Sequence, residues 1–275
     1  MLDLYSRWRS KFDRSELDEE DLFAFDCDQT LISGDIGEAT LRRAVERRWV
    51  ISHDEWWSHL SQGVSSVDEV NRWRFHYENE AQTKLTHPSK ELSNELWEAY
   101  IKLCEIDVSS AYIYAARLAF QKSSVELSLL AQDALIHDPK VSLRPQMKAF
   151  TTELNRNGGV WVVSSSHIDI VRVIAYHYGI DTRQVIGIDF ERDSRSQVYT
   201  DRLITPAPIS DKKVDALALY TRQIPALMVG DSRHDLPMMS YCETSIFIDH
   251  HSNAKLTESA ERLGALILSA DTVSV

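Results

Sequence analysis

The chain has 275 residues, 43% of them hydrophobic, enough for one large domain or a core with a smaller companion and too apolar for wholesale disorder. A formal net charge of -12 leaves no basic excess to neutralise phosphates, which excludes general nucleic-acid affinity. Cys27, Cys104 and Cys242 are odd in number and far apart, which argues against a disulfide framework or a zinc site and suits a reducing, cytoplasmic setting.

The first twenty residues, MLDLYSRWRSKFDRSELDEE, mix charges and hold no continuous apolar run, so neither a signal peptide nor a membrane anchor is expected. Leu22, Phe23, Ala24 and Phe25 then read as a buried strand that ends on Asp26, Cys27 and Asp28, with Thr30 close behind. After Thr30 the strand signal disappears until Val160, far longer than an ordinary connection. Apolar residues in that stretch recur at helical spacing; Leu92, Leu96, Tyr100 and Leu103 share one face. His87-Pro88 and Asp138-Pro139 mark loops. The economical reading is a helical domain over 33–145, inserted into a core made of 1–32 and 146–275.

Downstream, VWVV at 160–163, QVIGI at 184–188, PALMVG at 225–230 and TSIFI at 244–248 read as further strands. Helical patterns over 168–178 and 213–222 connect several of them, and 189–205 alternates like a β-hairpin beside the sheet. Together these predict an α/β core with a mostly parallel sheet flanked by helices, carrying an inserted all-α domain.

Chemistry gathers at the strand ends. Two carboxylates flanking Cys27, with a hydroxyl at Thr30, call for a metal ion or a reaction, because clustered carboxylates repel unless a cation or proton lies between them. Ser164, Ser165 and Ser166 follow the second strand; they form a turn or helix cap, or they offer hydroxyl and N–H groups to a phosphate. Lys212 and Lys213 open a helix, either as solvated surface or as a balancing ammonium, and Lys213 directly precedes the apolar face. Gly230 closes a strand, and Asp231 and Asp235 follow four residues apart; helix capping accounts for only one of them.

In this order FDCDQT, VVSSS, DKK and GDSRHD resemble the four motifs of the haloacid dehalogenase superfamily of phosphohydrolases. The resemblance covers roughly 20–32 and 158–250 and implies a Rossmann-like core. It implies Asp26 as the nucleophile that takes up the phosphoryl group and Asp28 as the acid and base. Mg2+ would be bound by Asp26, the main-chain carbonyl of Asp28, and Asp231. Ser164, Ser165 and Lys213 would hold phosphate, while Thr30 buttresses the loop near Asp26 and Asp235 orients the metal waters or Lys213. A small soluble phosphate ester is the substrate class implied, with no nucleic acid or membrane as partner. A phosphotransferase or phosphomutase, and a catalytically retired phosphate-binding module, are the alternatives.

The insert resembles a helical cap of the phosphoserine phosphatase-like branch, which includes phosphocholine and phosphoethanolamine phosphatases. The triple serine lacks the glycine pair common in phosphoserine phosphatases, which disfavours serine phosphate. Asp35 and Glu38 lie where such enzymes often place a carboxylate for a substrate amine. Trp49, Trp56, Trp57, Trp73 and Trp97, with Tyr77 and Tyr100, either face a quaternary ammonium or form the insert's own core.

Overall fold

The computed structural model describes residues 4–12, 21–49, 54–60, 66–82, 90–251 and 253–274. The chain begins with α1 (Leu4–Phe12), β1 (Leu22–Phe25) and the short β2 (Ile32–Ser33). Six helices follow: α2 (Ile36–Glu46), α3 (Asp54–Leu60), α4 (Val67–Gln82), α5 (Lys90–Ile106), α6 (Val108–Ala116) and α7 (Ser124–His137). Next come β3 (Ser142–Leu143), α8 (Pro145–Leu154), β4 (Gly159–His167), α9 (Ile168–His177) and β5 (Val185–Ile188). A hairpin of β6 (Phe190–Arg192) and β7 (Tyr199–Leu203) precedes α10 (Lys212–Thr221), β8 (Leu227–Gly230) and α11 (Leu236–Tyr241). The chain closes with β9 (Ser245–Asp249), α12 (Ala254–Arg262), β10 (Leu266–Ser269) and α13 (Ala270–Ser274).

Two compact units result. One comprises Met1–Asp35, Pro139–Ile188 and Ile204–Val275; the other comprises Ile36–Asp138 and Asp189–Leu203. These bounds fall inside the expected 33–145 at both ends of the insert. The hairpin also departs from expectation, for it belongs to the helical unit, which is therefore not all-α. Residues 189–203 return to it through contacts that no local pattern encodes; a bridge joins Phe120 to Tyr199.

The first unit is built on a six-stranded sheet in the order β10-β9-β8-β1-β4-β5. Every pairing in it is parallel. That explains the continuous apolar runs, since parallel strands covered by helices are buried on both faces. Phe23, Ala24, Phe25, Val160, Val162, Leu227, Met228 and Val229 are all fully buried. The expected strands appear as β1, β4, β5, β8 and β9, and β10 adds an edge strand beyond them. Trp8 on α1 is fully buried edge-on to Phe23 and Phe150, and its indole N–H donates to Thr244 Oγ1 at 3.1 Å.

The second unit has an aromatic interior. Trp56 stacks on Tyr114 with ring centroids 4.7 Å apart, and Trp57 meets Tyr77 edge-on at 5.5 Å. Trp56, Trp57, Trp73, Tyr77 and Tyr100 are buried, and the half-buried Trp49 and Trp97 lie under Lys122 and Arg42. Most of the rings form core, and Trp49 and Trp97 lie beneath the chain's own cations. Ser123 and Glu126 form a reciprocal capping box that starts α7. Among the described residues no helix is long and apolar enough to cross a membrane.

Candidate active site

Register brings the chemistry to one edge of the sheet. Phe25 pairs with Val162 of β4 and Val229 of β8, so Asp26 and Asp231 emerge at the carboxyl ends of adjacent strands, with Ser164 two residues beyond Val162 on β4. The Asp26 N–H continues the ladder to the Val229 carbonyl at 2.9 Å. Ligands collect at such an edge, where backbone groups and strand-end side chains converge.

Lys213 joins two of the carboxylates. Its ammonium donates to Asp26 Oδ1 and Asp235 Oδ1, each at 2.7 Å, and all three side chains are buried. Lys212 is exposed, and Lys213 is the lysine that meets the carboxylates. The second oxygen of Asp235 accepts the N–H groups of Asp231 at 3.2 Å and Ser232 at 3.0 Å, and the Ser232 hydroxyl at 2.8 Å. Asp235 thus ties the lysine to the loop after β8.

Thr30 donates its hydroxyl to Asp231 Oδ1 at 3.4 Å and its N–H to the Cys27 carbonyl at 3.3 Å, within the turn after Asp26. Cys27 is fully buried, as a small apolar side chain would be. The serines fall inside β4 rather than in a turn, with a register shift between Val163 and His167. His167 takes over as the cap of α9, its Nδ1 accepting the Asp169 N–H at 3.2 Å. Gly187 on β5 makes room for this path, because a Cβ there would lie 2.7 Å from the Ile168 Cα and 2.9 Å from the Ser166 carbonyl oxygen. Ser166 donates to Asp28 Oδ2 at 2.9 Å and Ser164 to the same oxygen at 3.4 Å, whereas Ser165 donates to the Pro208 carbonyl at 2.9 Å.

Electrostatics divides the carboxyls. Burial pushes Asp26 up to about 7 against the pull of Lys213, with the Asp235 and Asp28 charges adding to the rise. Burial, followed by the charges of Asp235 and Asp26, also holds Asp231 well above the ordinary carboxyl range. Burial alone would raise Asp235 too, but the charge and hydrogen bond of Lys213, with those from Ser232, outweigh it and leave Asp235 lowered. For Lys213, burial lowers the ammonium while Asp235 and Asp26 more than offset it and hold it above its ordinary value.

One oxygen each from Asp26, Asp231 and Asp235 lie within 4.8 Å of one another. Hard oxygen donors in this crowding fit a small divalent cation. The Asp235 oxygens are already taken by Lys213 and by the loop, which leaves Asp26 and Asp231 as the side chains best placed to hold it.

Several residues at this site were not singled out in the sequence. Ser166 was present only as the third of three serines. Arg144 is buried, and its guanidinium donates to the carbonyls of Gln29 at 3.2 Å and Ala270 at 2.9 Å. Tyr178 donates to the Leu31 carbonyl and accepts the Arg144 N–H at 2.9 Å. Together they clamp the turn that follows Asp28. His250 follows β9 directly, and its Nε2 lies 3.6 Å from Asp231 Oδ2. Of the expected substrate contacts, Asp35 is half-buried at the end of the first unit, and Glu38, in the first turn of α2 in the second, lies 3.7 Å from Arg42.

A sequence model described as haloacid dehalogenase-like hydrolase matches residues 23–240. No curated protein matches the chain significantly. Among solved structures, a conserved functionally unknown protein from Anaerococcus prevotii DSM 20548 aligns with TM-score 0.66 and 18% identity, over 89% of this chain and 83% of its own. A protein of unknown function from Bordetella pertussis Tohama I aligns with TM-score 0.59 and 16% identity, over 91% and 99%. A phosphoserine phosphatase solved with substrate bound aligns with TM-score 0.46 and 15% identity, over 90% and 92%. Likeness at these identities extends to the fold and not to the substrate.

Proposed function

The chain belongs to the haloacid dehalogenase-like hydrolase family, and from that premise we propose that it is a Mg2+-dependent phosphomonoesterase that passes the phosphoryl group through Asp26. One observation carries the reading. A single turn sets two carboxylates in different surroundings: Asp26 accepts the buried Lys213 ammonium, and Asp28 accepts the Ser166 hydroxyl. Two carboxyls with separate environments suit separate roles.

In the first half-reaction an Asp26 oxygen attacks phosphorus and the bond from phosphorus to the leaving oxygen breaks. Asp28, in its acid form, gives its proton to that oxygen, so an alcohol departs and an aspartyl-phosphate remains. In the second, Asp28 takes a proton from water as the water oxygen attacks phosphorus. The bond from Asp26 to phosphorus breaks, and inorganic phosphate leaves.

Lys213 balances charge beside Asp26, and Ser164 with neighbouring backbone N–H groups orients the phosphate oxygens. Asp235 holds Lys213 in place through its 2.7 Å contact. Held by Asp26, Asp231 and the Asp28 carbonyl, Mg2+ would supply the positive charge that keeps the carboxylates ionised and attracts a phosphate dianion. In this reading the helical unit serves as a cap, with Asp35 and Glu38 as candidates for substrate contact. Trp56, Trp57, Trp73, Tyr77 and Tyr100 are buried in that unit, and the substrate is specified only as a small phosphate monoester.

Hydrolysis of p-nitrophenyl phosphate, with Mg2+ and with EDTA, tests this for the wild type and Asp26→Asn. Turnover that requires Mg2+ and vanishes in the variant is expected. Turnover indifferent to EDTA, or retained in Asp26→Asn, would sink the proposal.

A further inference from the structure

β9 ends at Asp249, and the next residue brings an imidazole to the candidate cation site. His250 Nε2 lies 3.6 Å from Asp231 Oδ2, beyond hydrogen-bond distance. That nitrogen is buried and has no hydrogen-bond partner among the described residues. An orphaned polar atom in a buried place is costly unless something absent from the protein itself meets it.

The chemistry of the ring says what that is. Burial, then the nearby charge of Arg144, lowers the imidazole below its ordinary value. The Gln29 carbonyl acts on the ring as a hydrogen-bond acceptor. A carbonyl only accepts, so a ring proton belongs on Nδ1, and an Nε2 that meets the water of a cation presents its lone pair. With a cation at Asp231 the carboxylate is ionised, and two lone pairs that face each other cannot satisfy one another.

A donor must enter between them. A cavity of about 480 Å³ opens here, lined in part by Gln29, Asp231, His234, His250 and Asn253. His250 is not among the three residues whose ligand atoms converge, Asp26, Asp231 and Asp235, so it does not itself complete their cluster. Its place is one step further out.

We propose that His250 is a positioning residue for the cation: Nε2 accepts a hydrogen bond from a water accompanying a divalent ion at Asp231, and so tightens binding of that ion. The proposal rests on the reading of Asp26 and Asp231 as cation ligands. Partners that orient a metal's immediate ligands typically govern affinity by about 10- to 100-fold. The adjacent His251 provides a contrast, because its ring lies 3.2 Å from Asp249 and 3.1 Å from the Ser269 hydroxyl and is exposed.

The test is calorimetric titration of EDTA-stripped, full-length protein with MgCl2, without substrate. His250→Leu, which keeps bulk and removes the acceptor, is expected to weaken Mg2+ binding by about tenfold or more. His250→Gln, whose amide oxygen restores an acceptor, should recover most of that loss, and His251→Ala should bind as the wild type does. If His250→Leu does not fold, His250→Ala takes its place in the same titration. Binding by the acceptor-free variant within about twofold of wild type overturns the inference, as does equal loss in the Leu and Gln variants, which marks packing alone. Failure of the wild type to bind Mg2+ overturns the cation reading itself, and this inference with it.

Discussion

Gly230 and Asp235 stand so close that a Cβ at 230 would lie 2.7 Å from both Cβ and Cγ of Asp235. The approach follows from how the loop after β8 folds back, placing Asp235 where it takes Lys213 on one oxygen and two backbone N–H groups on the other. Asp235 is fully buried, so a methyl group at 230 must displace it or the strand end. Gly230→Ala is expected to lower stability by about 1–3 kcal/mol. Displacement of Lys213 should also cut phosphatase turnover about 100-fold. Urea unfolding and p-nitrophenyl phosphate turnover on one preparation check both; a wild-type midpoint with a wild-type rate would show that the loop yields without moving the lysine.

Asp26 makes the cation-free protein sensitive to pH in a defined direction. Its carboxyl is pushed up to about 7, chiefly by burial. An unfolded Asp titrates near about 3.9, so the folded state holds this proton more tightly. The resulting stabilisation is fully present below about pH 3.9 and is lost as pH rises through about 7. Asp26→Asn carries no such proton and leaves Lys213 paired with Asp235. In EDTA its stability relative to wild type should therefore grow as pH climbs from about 5 to about 7, then level. Guanidinium midpoints across that range decide the matter, and a gap that does not change with pH would refute the assignment.

Much of this site was legible because strand ends announce themselves. An apolar run that stops on a carboxylate, as at Asp26 and Asp231, locates both the sheet edge and its chemistry. Lys213 could be preferred to Lys212 because it sits against the apolar face of its helix. What could not be read depends on contacts between distant segments. The hairpin over 190–203 has a clear local pattern, yet its membership of the helical unit rests on Phe120 and Tyr199 meeting across the chain. Ser166 is indistinguishable from its neighbours until the β4 register shift turns its hydroxyl, and not that of Ser165, toward Asp28. The pair His250 and His251 did carry a signal, since it follows an apolar strand as Asp26 does; only the fold shows which ring turns toward Asp231.

The three serines can be separated by experiment. Ser166→Ala removes the 2.9 Å hydrogen bond to Asp28, the carboxyl assigned to proton transfer. A hydrogen bond to a charged group contributes about 1.5–3 kcal/mol. If that orientation matters in the transition state, kcat/KM should fall by about 10- to 100-fold. The same change at Ser165 breaks a bond to the Pro208 carbonyl and should cost less activity. Steady-state kinetics with p-nitrophenyl phosphate compare the two, and a larger loss at Ser165 would reverse the assignment of their hydroxyls.

Trp8 ties the first helix into the sheet unit. Its ring packs edge-on to Phe23 on the central strand and to Phe150 on α8, and its N–H donates to Thr244. Deleting a fully buried indole opens a cavity that its neighbours fill only in part, so Trp8→Ala should destabilise the protein by about 3–5 kcal/mol. Trp8→Phe retains an aromatic ring and loses the donor, and the missing hydrogen bond should account for about 1 kcal/mol. Thr244 also donates its own hydroxyl to the Ala226 carbonyl, so it keeps one partner in either variant. Urea unfolding midpoints for the two variants measure packing and hydrogen bond separately. A Trp8→Ala protein that unfolds with the wild type would mean that α1 contributes nothing to the stability of the sheet it covers.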